Sequence, residues 1–207
     1  MKKIFVLIMA VVLCSANVIA QEDHWSENRH SLSISGGYVS TFFLAKSLVA
    51  WIPMAAGHSR NAYYFGNYGI QYHYQLNRWC RIGAKGIWEG DNYDFYTGSD
   101  ATDVKKGVTF DHTVSLLASV QFTYFNHPHV QLYSGFDLGV GAFILDTRYE
   151  AGFSDSDGKT HPIDVTWMPS FDITPIGVAF GCWRVYGFVE TNIGFESFVK
   201  AGLGVHI

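Results

Sequence analysis

The stretch VKAGLGVHI, residues 199–207, decides the fold. Val199, Ala201, Leu203, Val205 and Ile207 alternate with Lys200, Gly202, Gly204 and His206, so one face of the extended chain is apolar and the other polar or bare. A period of two marks a strand, because successive side chains point to opposite faces of a sheet. The same split recurs toward the N-terminus. Val130, Leu132, Phe136, Leu138, Val140 and Ala142 stand against Gln131, Tyr133, Gly135, Asp137, Gly139 and Gly141. Val114, Leu116, Ala118, Val120, Phe122 and Tyr124 stand against Thr113, Ser115, Ser119, Gln121 and Thr123, with Leu117 the exception. Tyr68, Ile70, Tyr72, Tyr74 and Leu76 oppose Gly69, Gln71, His73 and Gln75. Weaker versions at 31–43, 80–89, 163–181 and 184–193 bring the expectation to eight strands. The seventh is the poorest, since Tyr186 and Phe188 fall on the polar side with Glu190 and Asn192.

The connections alternate too. Asn77-Arg78, Asn126-His127-Pro128-His129 and Cys182-Trp183 read as tight turns, whereas residues 44–60, 90–108 and 144–163 read as long loops. Only the last outer connection, near Gly194 to Ser197, is short. Short periplasmic turns, long outer loops and an even strand count are the arrangement of an outer-membrane β-barrel. Unpaired backbone in hydrocarbon costs several kcal/mol per group, so a sheet spans a membrane only when closed, and the eighth strand is expected to pair with the first. A soluble barrel of the lipocalin type, with the faces reversed, is the rival architecture.

Lys2 and Lys3, the apolar run from Ile4 to Leu13 and Val18-Ile19-Ala20 ahead of polar residues predict a secretory signal peptide over 1–20. A short periplasmic segment is then expected over 21–30 and the barrel over 31–207. No later segment offers the apolar length of a spanning helix. The 21 glycines, the 16 Phe, 12 Tyr and 6 Trp, and only 5 prolines suit long twisted strands. A formal charge of −4 gives no basic footprint for nucleic acid. Cys80 and Cys182 are expected on the outward face near short turns, three strands apart and therefore not bridged to each other.

The run Thr174-Pro175-Ile176-Gly177-Val178, then Gly181, Tyr186-Gly187-Phe188-Val189-Glu190, Gly194 and Ala201-Gly202-Leu203-Gly204, resembles the small outer-membrane β-barrel domain family over roughly residues 170–207. The resemblance implies a monomeric eight-stranded barrel in a Gram-negative outer membrane, surrounded by its lipid and inserted by the barrel-assembly machinery. Members of that family commonly end in an aromatic residue, where this sequence has Ile207. No single activity follows from the family.

Candidate functional residues lie on the inward face. Arg81, Lys85, Asp137, Glu190 and Lys200 are expected to form an interior polar network, with Glu89 a further inward acid. Eight strands enclose only enough room for side chains to fill, and buried charges persist when paired. Lys85, Asp137, Glu190 and Lys200 approach a common level, and Glu190 with Lys200, on neighbouring strands, is the expected direct pair. The reading is a filled structural or surface-interaction barrel, without enzymatic activity, cofactor or metal. The alternatives are transport of a small solute or hydrophobic ligand through the barrel and, behind it, a rim enzyme drawing on Ser115, Ser119 or His112. His127 and His129 supply two ligands without a third, and Asp155-Ser156-Asp157-Gly158 lacks the glutamate that would complete a calcium loop. The apolar part of the first loop, residues 44–54, reads as a packed strand end, an amphipathic surface helix or a lid.

Overall fold

A computed structural model describes residues 29–38, 40, 59–97, 104–127, 129–181 and 184–207. The expected signal peptide, the apolar stretch 44–54, Pro128 and Cys182 lie outside the described residues. Eight strands follow one another: β1 His30–Gly37, β2 Ser59–Asn77, β3 Cys80–Thr97, β4 Val104–His127, β5 Val130–Tyr149, β6 Ile163–Gly181, β7 Val185–Gly194 and β8 Val199–His206. Each pairs antiparallel with its neighbour, and β8 returns to β1, with Leu203 opposite Ile34. The result is a closed all-β barrel in the order β1 to β8.

The period of two seen in the sequence becomes the two sides of this wall. Ile34, Ile70, Leu116, Leu138, Val140 and Leu203 point outward, Leu116 with 65 % of its surface exposed. Ser33, Gln71, Lys85, Asp137, Glu190 and Lys200 point inward and are buried, Lys85 to 1 %. That inversion of a water-soluble core is stable only where the solvent is hydrocarbon and the backbone has no open edge. The soluble rival would place the charged row outside. Tyr186 and Phe188, the misfits of the seventh strand, also face inward, where they pack with Tyr133 and Ala179. They fill room left by inward glycines on the neighbouring strand.

Two sequence expectations change. Residues 90–108 are largely strand rather than loop, because β3 continues to Thr97 and β4 begins at Val104, and the loop expected over 144–163 shortens to 150–162, because β5 continues to Tyr149 and β6 begins at Ile163. β2 likewise begins at Ser59, well before Tyr68. The ladder carries on through Asp91 opposite Asp111 and Val108 opposite Arg148. Alternation of hydropathy reports burial against lipid, so it fades where the strands leave the membrane although the hydrogen bonds do not. The 24 residues of β4, at about 3.3 Å each, span roughly 80 Å of chain, whereas crossing a bilayer takes about 9 to 11 residues. Cys80 has the outward parity expected of it, yet it is buried beside the Asn77–Cys80 turn.

Candidate functional site: the charged interior

Four of the five predicted network residues meet. Lys85 on β3 directs its Nζ at Asp137 Oδ2 of β5, 2.5 Å away, across the barrel. Glu190 and Lys200 are direct cross-strand partners on β7 and β8, and their Oε2 and Nζ lie 2.7 Å apart. Tyr133 donates its hydroxyl to Glu190 Oε1 at 2.6 Å. Arg81 sits one level nearer the short turns, where it donates to Gln75 Oε1 and, at 2.7 Å, to Gln131 Oε1.

Two acids that join these groups were not among the predicted five. Asp172 of β6 presents Oδ2 3.7 Å from Lys85 Nζ. Its parity with Ser170 and Thr174 puts it inward, so the β6 alternation carried the signal. Glu196 follows β7 in the short outer connection, where no period exists to reveal it. Its carboxylate accepts from Lys85 at 2.7 Å and from Lys200 at 2.6 and 2.7 Å. All six ionisable side chains, Lys85, Asp137, Asp172, Glu190, Glu196 and Lys200, are at most 2 % exposed. Buried ions persist only with partners in good geometry, and each of these has one.

Oxygens of Asp137, Asp172 and Glu196 lie within 4.8 Å of one another, a spacing that would suit a metal ion. The cation beside all three is the Lys85 ammonium. Above this level Glu89 accepts from Ser40 at 2.9 Å and from Tyr64 at 2.5 Å. Below it, His73 pairs with Ser119 at 3.0 Å. A Ser–His pair suggests a nucleophile and base, but both residues are buried in the filled interior. Ser115 bonds to Ser170 at 3.1 Å on the inside, while His112 stacks on Trp88 on the outside. Asp155 uses its carboxylate on the amides of Asp157 and Lys159, at 2.9 and 2.7 Å, which makes Asp155-Ser156-Asp157-Gly158 a capped turn.

An edgeless eight-stranded ring, apolar outside and charged inside, is the architecture of an outer-membrane β-barrel protein. No family model and no curated protein matches the sequence. Among solved structures, the chain is similar to Ail, the attachment invasion locus protein of Yersinia pestis, in complex with the heparin analogue sucrose octasulfate, at 16 % identity and a TM-score of 0.40, covering 85 % of this chain and 94 % of that one. It is similar to the N-terminal β-barrel domain of Pseudomonas aeruginosa OprF at 14 % identity and a TM-score of 0.40, covering 86 % and 96 %.

Proposed function

We propose that the protein is a surface-interaction barrel, a sealed ring that anchors in the outer membrane and presents a protruding sheet to the exterior. The observation that carries this is the unequal height of the strands. β7 ends at Gly194 opposite Asp172, while β6 continues from Ser170 back to Ile163 and β2 to β5 rise beside it. Among the described residues, 163–170 of β6 therefore pair with β5 alone. This edge displays Ile163, Val165 and Trp167, the last 73 % exposed. A free strand edge with an apolar row offers main-chain hydrogen bonds and side-chain contacts to an extended segment of another chain.

The six-residue ion cluster supports the sealed half of the reading, since it fills the lumen at mid-height. The burial of the His73–Ser119 pair inside the ring supports a role without catalysis. The ring closes on its own β1 and β8, which supports a monomer set in lipid and delivered by the barrel-assembly machinery. The test is ion conductance of the purified barrel in a planar bilayer. The expected trace is flat, and a steady open channel in the unmodified protein would overturn the sealed ring in favour of transport.

A further inference from the structure

The connection between β7 and β8 does not stand above the barrel. Phe195, Glu196 and Ser197 are all buried, in a seat shaped by three glycines. A Cβ on Gly37 of β1 would overlap Ser197 Oγ, and one on Gly69 of β2 would come 3.3 Å from Glu196 Oε1. A Cβ on Gly194 would overlap the carbonyl oxygen of Phe171, and this glycine holds φ at +148°, a region other residues rarely adopt. The turn is tied from several strands. Asn67 donates to the Phe195 carbonyl at 3.0 Å, Asn192 to the Ser197 carbonyl at 3.3 Å, and Ser40 bridges Ser197. Deepest of all is the Glu196 carboxylate between Lys85 and Lys200.

We propose that this turn is a removable plug and Glu196 its latch, so that releasing the carboxylate lifts residues 195–197 from the lumen and opens a path for small cations. The proposal rests on the sealed-barrel reading and names the element that makes the seal. The turn can leave without breaking the wall, because the β7–β8 ladder runs from Val185 with Val205 to Thr191 with Val199 and stops below it. Lifting it breaks one main-chain bond to the wall, from Phe195 N–H to the Phe171 carbonyl at 3.2 Å, and the Ser40 bridge, while the charged bonds that hold it inside are all made by Glu196. Once it is out, the lumen keeps Glu89, Asp137, Asp172 and Glu190 against Lys85, Lys200 and Arg81. Asp137 Oδ1 is buried without a hydrogen-bond partner among the described residues, so a carboxylate oxygen is available to a passing cation. An acid-lined path of this kind favours cations.

The experiment is single-channel recording in planar bilayers across a potassium chloride gradient. Glu196→Gln is expected to raise the open fraction at least about ten-fold over the unmodified protein, the effect of losing one charge-assisted hydrogen bond, with a reversal potential on the cation side. Gly37→Val, which crowds Ser197 while leaving every charge in place, is expected to do the same. In a background without other cysteines, Ser40→Cys with Ser197→Cys places two thiols across the isolated bridge. Added to Glu196→Gln, this pair is expected to close the channel when oxidised and reopen it on reduction. Steady conductance by the oxidised, locked protein without Glu196→Gln would overturn the sealed-barrel reading itself. If the unmodified protein stays shut, and Glu196→Gln and Gly37→Val stay shut while keeping full strand content by circular dichroism, the plug is overturned and that reading stands. Conductance of Glu196→Gln that the oxidised lock does not close overturns the plug as well.

Discussion

Lys85 is the residue on which the interior balance turns, because its one ammonium faces Asp137, Asp172 and Glu196. Lys85→Met would leave those carboxylates without their shared cation. The expected loss is about 3 to 5 kcal/mol, the usual cost of breaking a buried pair from one side, read as a fall in the urea midpoint of the barrel in detergent. A double-mutant cycle of Glu190→Gln and Lys200→Met is expected to be non-additive, since the two groups touch. Additivity in that cycle would remove the pair from the network. Outside the membrane the relevant acid is Asp146, near the outer end of β5. Burial alone would raise its pKa, but hydrogen bonds from Arg148 and His161 outweigh that and hold it below the usual carboxylate range. A depressed folded-state pKa means these contacts contribute in full above the ordinary aspartate value of about 3.9 and are lost as pH falls through the lower one. Carboxyl NMR titration should show Asp146 inflecting below a free aspartate, and Arg148→Gln should move the inflection upward.

At the scale of the strand, three inward glycines are covered by aromatic rings. Tyr133 lies over Gly177, Phe188 over Gly202 and Tyr186 over Gly204, each ring crossing to a glycine directly opposite on the next strand. Covering a strand glycine this way shields backbone and fills the lumen without adding a second bulky side chain. Gly177→Ala would drive a methyl into the Tyr133 ring, and overpacking of this kind costs about 1 to 3 kcal/mol. Thermal unfolding should show that loss, and adding Tyr133→Ala should recover part of it. The upper half of β6 makes a second test. Amides that face away from β5 in residues 163–170 are expected to exchange with deuterium much faster than those of β4, which has neighbours on both sides.

For the whole molecule, the short turns and the long hairpins lie at opposite ends of one ring, so membrane orientation follows from which end is reached from outside. Single cysteines at Asp157 are expected to react with an impermeant thiol reagent on intact cells, and those at Asn126 only after the outer membrane is opened. The reverse pattern would invert the topology. Height is also set at this scale. β7 and β8 are 10 and 8 residues long, while β4 has 24. Among the described residues the wall is thus low at β7 and β8 and tall at β4, which leaves the upper edge of β6 beside the buried β7–β8 turn.

The sequence by itself determined the strand count, the facing of the wall and four members of the interior cluster, because each is a local alternation that one chain segment displays alone. Val199 to Ile207 announces the lipid face, and the parity of Lys85, Asp137, Glu190 and Lys200 announces the lumen. It also carried Asp172 unnoticed, as one inward position among many on β6. Only the tertiary structure decided the rest. The strands above the membrane lose hydropathy contrast and are visible only through their ladder partners, as with Asp91 and Asp111. Glu196 lies in a turn with no period, and its place between Lys85 and Lys200 depends on closure of the ring, which brings β3 and β8 around a common axis although they are far apart in sequence.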